Sequence, residues 1–536
     1  MRSFYQLTTC RAAVALAFSF GLVSAQAQQK MPEANGANTT FRISGFELTG
    51  DIPLDQTETT AVLASFIGSN ANLASLQKAS AALEAAFKAR GFALHRVSLP
   101  AQELGGKVTL SVVRFVIGKV TVQGNSAFSL ANVRASVPEL AEGATPNFRT
   151  MAVQTAIANE NPAKQVQVTV KESDEADKID ATVLVKEGSV WNRSVSMANT
   201  GSKATGNDRL TFALGHSNLF DLDHQMSAAF TTSLERGDAV KQLGLNYRIP
   251  MYRQGGVVGL SYTNSDVLGN FGSFTSTGAG QTYGVNFSKY MPPSGGERTY
   301  WTLSLDEKIF NASKVNGVVV AGQSDRNSRP LTLGYTSRME SDTSIWGYNA
   351  ELAMNLAGGV GNNIAAYRTE DARIRTENWS LVRASANYLA PLPSGWLWSA
   401  KTQFQYSGDG LIAGEQFGLG GASSVRGTAE RAITGDGGLV ASVEVSSHEL
   451  KPGLRLVGFM DAGWLNSNNA AASTSGKLAV DQLASMGLGV RFNSRSVNMV
   501  AEWAQVVTGA TQPAGGNITL PKAGDEKLHL SITARF

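Results

Sequence analysis

Alternation between apolar and polar residues runs through the C-terminal two-thirds of this 536-residue chain and constrains its fold more than any other feature. A period of two places successive side chains on opposite faces of a β-strand. The last such segment ends on the final residue, an aromatic. Its apolar face is formed by Leu528, Leu530, Ile532, Ala534 and Phe536. The pattern predicts a long series of amphipathic strands, although a water-soluble β-sandwich produces alternation too.

Connection lengths separate these two folds. Sixteen strands can be placed between residue 191 and the C-terminus, and odd-numbered strands are followed by long connections such as 357–378 and 408–438. Even-numbered strands are followed by short turns such as 391–395, Pro-Leu-Pro-Ser-Gly. Short turns on one side and long loops on the other are typical of outer-membrane barrels, and in lipid a sheet must close to pair its backbone amides. Residues 189–536 are therefore predicted to form a 16-stranded antiparallel transmembrane β-barrel with both chain ends in the periplasm.

Composition agrees with this fold without identifying it. Apolar residues make up 43% of the chain and charged residues 17%. No run of about 18 apolar residues follows the N-terminal region, as a membrane-spanning helix would require. The chain has 46 basic and 43 acidic residues, a formal net charge of +3, so we expect no nucleic-acid partner.

The N-terminus has the features of a secretory signal. Arg2 and Arg11 precede an apolar run at 12–23, and Ala-Gln-Ala at 25–27 has the spacing of a signal-peptidase site. We predict that residues 1–27 are a signal peptide; a buried helix is the alternative for the apolar run.

The segment that follows, residues 28–40, is short. Even fully helical it would extend only about 20 Å, against a hydrocarbon core of about 30 Å. We therefore expect no N-terminal helix to span the barrel lumen. The only cysteine, Cys10, lies within the predicted signal peptide, so no disulfide is expected in the mature chain.

Between this segment and the barrel, a mixed α/β pattern occurs twice. Residues 41–115 and 116–188 each read as a strand, two helices and two further strands. The overall fold class is thus α+β periplasmic modules followed by an all-β barrel.

The two modules resemble polypeptide-transport-associated (POTRA) domains. Two such domains before a sixteen-stranded barrel resemble the outer-membrane transporters of two-partner secretion, the TpsB family. Residues 418–427, Gly-Leu-Gly-Gly-Ala-Ser-Ser-Val-Arg-Gly, resemble the family's long sixth loop with its Val-Arg-Gly motif. Residues 459–463, Phe-Met-Asp-Ala-Gly, resemble the F-x-D-x-G motif of the family's thirteenth strand.

The resemblance implies that loop 408–438 folds into the lumen and that Arg426 at its tip meets Asp461 on the inner wall. A guanidinium can pair with a carboxylate through two parallel hydrogen bonds, and glycines allow the tight reversal that aims it inward. A solvated arginine in an exposed loop is the alternative. Thr428 departs from the family pattern, in which an aromatic usually follows Val-Arg-Gly. Motif residues expected to support the pair are Gly420, Gly421, Val425, Gly427, Phe459 and Gly463, and Phe536 is the expected C-terminal signature of the barrel.

The resemblance also implies a function. It predicts an outer-membrane pore that recognises a secreted TpsA-type partner protein through its POTRA domains and translocates it to the cell surface or medium. Other expected contacts are outer-membrane lipid and the barrel assembly machinery for its own insertion. An assembly insertase is the main alternative, and a passive porin is a further one.

Enzymatic alternatives have little support in the sequence. No G-x-S-x-G nucleophile elbow occurs, and the five histidines lack the H-E-x-x-H spacing of a metal site. We therefore expect no catalytic residues, no metal, no cofactor and no enzymatic activity.

Overall fold

The computed structural model describes residues 40–536, apart from 104–105, 268, 272, 277, 313, 316–317, 320–321 and 512–519. Its described residues form two compact units, one that ends at Gly188 and one that spans Ser189–Phe536. The predicted signal peptide and residues 28–39 lie outside the described residues, so the predictions made for them stay predictions. Among the described residues, no helix combines the length and apolarity needed to cross a bilayer.

The first module packs two helices on a four-stranded sheet of order β2-β1-β4-β3, in which β1 and β4 are parallel. Helix α2 begins after Asn72, whose side chain accepts a hydrogen bond from the backbone N–H of Ser75 at 2.9 Å. Its buried face, formed by Leu76, Ala79, Leu83 and Phe87, recurs at helical spacing. The elements are β1 (Phe41–Gly50), α1 (Gln56–Leu63), β2 (Gly68–Ala71), α2 (Leu73–Ala89), β3 (His95–Ser98) and β4 (Gly106–Arg114).

The second module repeats the plan with a three-stranded sheet of order β5-β7-β6. Asn147 caps its longer helix by accepting from the backbone N–H groups of Arg149 and Thr150. The same side chain donates to the carbonyl of Arg90, just beyond α2, and so joins the two modules. The elements are β5 (Val116–Gln123), α3 (Leu130–Ser136), α4 (Phe148–Ala158), β6 (Lys164–Glu172) and β7 (Lys178–Glu187).

The rest of the chain forms a closed antiparallel barrel of sixteen spanning strands, counting β19 and β20 as one strand interrupted before Pro330. The predicted fold class is confirmed. Three short hairpins, β13–β14, β17–β18 and β24–β25, lie in long connections. The elements are β8 (Trp191–Ala198), β9 (Arg209–Leu219), β10 (His224–Thr232), β11 (Lys241–Met251), β12 (Gly256–Ser265), β13 (Gly269–Phe271), β14 (Phe274–Ser276), β15 (Gly280–Tyr290), β16 (Glu297–Phe310), β17 (Lys314–Val315), β18 (Val318–Val319), β19 (Arg326–Ser328), β20 (Pro330–Glu340), β21 (Ile345–Asn355), α5 (Ile364–Arg368), β22 (Ser380–Pro391), β23 (Leu397–Tyr406), β24 (Phe417–Leu419), β25 (Ile433–Gly435), β26 (Gly437–Ser446), β27 (Leu454–Asn466), β28 (Val480–Asn493), β29 (Val497–Thr508) and β30 (Glu526–Arg535).

Alternate residues of each strand face the lumen and the lipid. On β27, the thirteenth spanning strand, Met460 is 64% exposed on the outer face, whereas its neighbour Asp461 is 2% exposed. The period of two thus directs the carboxylate of the F-x-D-x-G motif into the barrel.

The barrel closes where its first and last strands, β8 and β30, pair over five residues, from Ser194 opposite Arg535 to Ala198 opposite Ser531. Asn199 extends this seam with its side chain. Its amide nitrogen donates to the carbonyl of Leu528 at 2.6 Å, and its amide oxygen accepts from the N–H of Leu530 at 2.8 Å.

Candidate functional site in the barrel lumen

The connection between β23 and β26, residues 407–436, turns back into the lumen. Its β24–β25 hairpin pairs Phe417 with Gly435 and Leu419 with Ile433, and the turn beyond the hairpin carries Arg426. We call residues 407–436 the infolded loop.

Apolar packing holds this loop against the inner wall. Val425 and Leu419 are fully buried and belong to one cluster with wall residues from β26 to β29. Gly463 of the F-x-D-x-G motif makes room for the loop, because a Cβ at this position would lie 2.6 Å from Cδ2 of Leu419. Gly420 and Gly421 adopt φ values of +113° and +96°, a region that side chains other than glycine avoid. The wall members of the cluster are Val440, Leu465, Leu483 and Val506.

Arg426 lies at the inner end of the loop and is 3% exposed. Its Nε and Nη2 atoms donate to the two carboxylate oxygens of Asp461 at 2.8 and 2.7 Å. Its backbone N–H donates to the same carboxylate at 3.1 Å. The guanidinium also lies 3.4 Å from the ring centre of Phe459, a cation–π contact. The two motifs are thus brought together through main chain, side chain and ring.

Further charged groups of the wall complete the environment of Arg426. Its Nη1 donates to Glu444 on β26 at 2.8 Å and to Glu502 on β29 at 3.1 Å. Arg491 on β28 bridges the same two carboxylates from the other side, at 2.7 to 3.0 Å. Two guanidinium groups therefore share three carboxylates, and each charge has an opposite partner. We call Arg426, Glu444, Asp461, Arg491 and Glu502 the lumenal cluster.

The residues after Arg426 are also tied down. The N–H of Gly427, which has a φ of +89°, donates to Nε2 of His529 on the last strand at 2.9 Å. Thr428, which replaces the expected aromatic, accepts from the N–H of Gly421 and donates to the carbonyl of Val425. In this chain, hydrogen bonds within the loop thus occupy the place of aromatic packing.

Phe536 stands apart from this arrangement. Its side chain is 77% exposed, and its N–H donates to the carbonyl of Arg193 on the first barrel strand.

Four residues of the site were not predicted from the sequence: Glu444, Arg491, Glu502 and His529. Glu444 and Glu502 could have been found from the sequence, because each is an acidic residue at a lumen-facing position of a strand whose alternate residues are apolar.

A closed sixteen-stranded barrel that holds an arginine-tipped loop in its lumen and follows two small α+β modules defines a class of outer-membrane protein transporters. The chain belongs to the haemolysin secretion/activation protein family ShlB/FhaC/HecB, whose model matches residues 178–492. The ShlB-type POTRA domain model matches residues 41–114. The protein is accordingly an outer-membrane pore of two-partner secretion that works with a secreted partner protein, and its POTRA domains lie in the periplasm.

Individual relatives are distant. The chain is 23% identical to the outer membrane transporter CdiB of Escherichia coli over 82% of this chain and 75% of the relative. It is 24% identical to CdiB of Dickeya dadantii over 79% of this chain and 76% of the relative. Among solved structures, CdiB from Escherichia coli superposes with a TM-score of 0.73 at 20% identity, covering 95% of this chain and 92% of that one. CdiB from Acinetobacter baumannii gives 0.70 at 17% identity, covering 95% and 94%. These two structures share the fold.

Proposed function

We propose that the infolded loop is the plug of the export pore and that the lumenal cluster holds it in place at rest. The observation that carries this proposal is the burial of Arg426 with each of its three guanidinium nitrogens bonded to wall residues. Charge-assisted and bidentate hydrogen bonds of this kind are the strong ones. Because the bonds run between loop and wall, the loop cannot leave the lumen until they break or shift.

The partner is recognised in the periplasm. In the described part of the two modules, β2, β3 and β6 are edge strands that pair with another strand on one side only. The outer side of β5 is occupied, because the N–H of Gly143 donates to the carbonyl of Ile117 and the N–H of Ile117 donates to the carbonyl of Ala144. A free edge binds an extended chain through backbone hydrogen bonds, largely independent of the sequence of that chain. We assign this role to the modules: the secretion region of an unfolded TpsA-type partner docks there, the loop moves, and the chain passes through the lumen to fold outside.

Contacts with lipid and with the assembly machinery belong to the same proposal. The outward apolar positions of the barrel strands contact outer-membrane lipid. The last strand, with the exposed aromatic Phe536 after it, is the segment that the barrel assembly machinery recognises during insertion of this chain.

Coexpression tests the export function. A large, repeat-rich secreted protein encoded beside this chain is expressed with the full-length transporter, without it, or with residues 41–188 deleted. Partner in the medium is measured by immunoblot, and barrel insertion is checked by the heat-dependent shift of the folded band on gels. We expect export only with the full-length chain. Equal export in all three cases would contradict the proposal.

Loss of several barrel proteins from the outer membrane in the strain that lacks the transporter would instead support an assembly function.

The plug is tested by deleting the loop tip, residues 420–431, and measuring conductance in planar bilayers. We expect larger and more frequent openings than in the parent protein; unchanged conductance would show that the loop does not obstruct the pore.

A further inference from the structure

A second buried arginine lies at the extracellular end of the infolded loop. Arg373 belongs to the connection between β21 and β22, residues 356–379, and has no exposed surface. The sequence patterns around it gave no indication of a role. An arginine is seldom fully buried unless it is paired, so its partners identify what it holds.

The guanidinium of Arg373 contacts both limbs of the infolded loop. Nη2 donates to the carbonyl of Leu411 on the inward limb at 3.0 Å, and Nη1 donates to Oδ2 of Asp436 on the returning limb at 2.5 Å. Asp436 in turn accepts from the N–H of Leu411 at 2.8 Å. One ion pair therefore fastens the place where the loop leaves the wall to the place where it rejoins it.

A third connection, residues 467–479 between β27 and β28, joins the same group. The N–H of Asn468 donates to Asp436 at 2.7 Å. Asp371 accepts from Nε of Arg373 at 3.1 Å, from the hydroxyl of Ser473 at 2.8 Å and from the N–H of Thr474 at 3.0 Å. We call Asp371, Arg373 and Asp436 the outer cluster.

The charge state of the outer cluster follows from these contacts. Burial acts to raise the pKa of Asp371, but hydrogen bonds from the hydroxyls of Ser475 and Ser473 and from backbone N–H groups hold the pKa below its usual value. Asp371 is therefore ionised, and the guanidinium of Arg373 lies between Asp371 and Asp436, with an ion-pair contact to each.

Apolar packing surrounds the same point. Leu411 and Ile412, fully buried, pack in one cluster with Tyr367, Ile374 and Trp379 of connection 356–379. The inward limb therefore packs directly against this connection, and moving the limb away would break these apolar contacts.

We propose that Arg373 is a second positioning residue of the plug, one that holds the infolded loop from its extracellular end. The proposal rests on the function proposed above for that loop. The outer cluster shares no residue with the lumenal cluster, and its ties run between connections instead of between the loop tip and the wall. Release of Arg426 frees only the tip; clearing the lumen also requires the outer cluster to open, together with connections 356–379 and 467–479.

Conductance of the full-length protein in planar bilayers tests the proposal. The variants are Arg373→Ala, Arg426→Ala, the double variant, and Arg375→Ala as a matched control, since Arg375 is exposed in the same connection. We expect Arg373→Ala to raise the time spent in large-conductance states by about fivefold or more, and the double variant to exceed either single one. Arg375→Ala should behave like the parent protein.

A second readout follows the loop directly. The only cysteine of the sequence is Cys10, so Leu411→Cys places a single thiol in the chain once the predicted signal peptide is removed. Leu411 has no exposed surface, and a membrane-impermeant maleimide should label it slowly in intact cells. We expect faster labelling when Arg373→Ala is added and no change with Arg375→Ala.

Equal conductance and equal labelling for Arg373→Ala and Arg375→Ala would overturn the second positioning role. Faster labelling without any conductance change, in both Arg373→Ala and Arg426→Ala, would support the outer cluster and contradict the plug instead. Folding is checked by the heat-dependent gel shift. If Arg373→Ala does not insert, Arg373→Lys and Asp436→Asn carry the same test, because each keeps the size of the side chain but loses part of the pairing.

Discussion

At the scale of single residues, the site is defined by how many donors of one guanidinium are used. Arg426 directs Nε, Nη1 and Nη2 at three carboxylates and a hydroxyl, and a lysine has neither the planar fork nor the number of donors to replace it. The pairing with Asp461 was predicted only through the resemblance of two short motifs. Glu444, Arg491 and Glu502 were not predicted. The register between strands decides which residues of β26, β28 and β29 lie level with Arg426 in the lumen, and the sequence alone does not specify that register.

A double-mutant cycle measures this pairing. Arg426→Ala leaves the buried carboxylate of Asp461 without a cationic partner, whereas after Asp461→Ala the guanidinium of Arg426 keeps Glu444 and Glu502 but loses its bidentate partner. Breaking a buried pair costs about 3–5 kcal/mol, so we expect the larger loss for Arg426→Ala. The closed state should be destabilised by each change, and the double variant should cost clearly less than the sum. The measurement is open probability in planar bilayers, with exposed Arg495→Ala as the control. Strict additivity would show that the two residues do not act as a pair.

His529 offers a second residue-level prediction. Its Nε2 accepts from the N–H of Gly427, so His529→Phe would leave that buried N–H unpaired, a cost of about 1–3 kcal/mol. We expect more frequent openings with His529→Phe and a smaller effect with His529→Gln, whose carbonyl can accept. Exposed His448→Phe is the control, and identical gating of all three variants with the parent protein would argue against a role for this bond.

At the scale of elements, alternation was sufficient to predict the barrel and helical spacing to predict the module helices. The edge strand β2 was not predicted, because Gly68-Ser69-Asn70-Ala71 has no β-branched or aromatic residue and its pairing with β1 depends on tertiary context. The β24–β25 hairpin was also not predicted, since three-residue strands are too short for a period to be visible. Its packing on the wall depends on Gly463, which lies more than 40 positions from Leu419 in the sequence and has no Cβ to collide with that side chain.

The seam between β8 and β30 gives the element-scale prediction. Asn199 adds two hydrogen bonds to five paired residues, so its loss should weaken the closure measurably. Asn199→Ala should lower the temperature of the heat-dependent gel shift, at about 0.5–1.5 kcal/mol per bond. Asn199→Asp keeps the oxygen that accepts from the N–H of Leu530, so its gel-shift temperature should lie between those of the parent protein and Asn199→Ala. An unchanged transition temperature in Asn199→Ala would show that the seam does not limit barrel stability.

At the scale of the whole molecule, the chain divides into a water-soluble unit and a lipid-embedded one, which have different sources of stability. The soluble unit depends on a small core that contains His95, which is buried and lies in edge-to-face contact with the rings of Phe87 and Phe92. The barrel depends on a closed ladder of backbone hydrogen bonds. Conditions that affect one unit therefore need not affect the other.

Mild acid should separate the two units. Burial lowers the pKa of His95 below its usual value of about 6.5, so the folded module binds its proton only at lower pH than the unfolded chain does. Below the unfolded pKa the unfolded state takes up the extra proton, and stability falls as pH falls. The full-length protein in detergent is unfolded with urea, and the unfolding of residues 41–188 is monitored by their sensitivity to protease. The urea concentration at the unfolding midpoint should be lower at pH 5.5 than at pH 7.5. The temperature at which the barrel shows its heat-dependent gel shift should be the same at both pH values. His95→Gln should reduce the pH dependence of the module; an unaltered dependence would mean that other groups carry it.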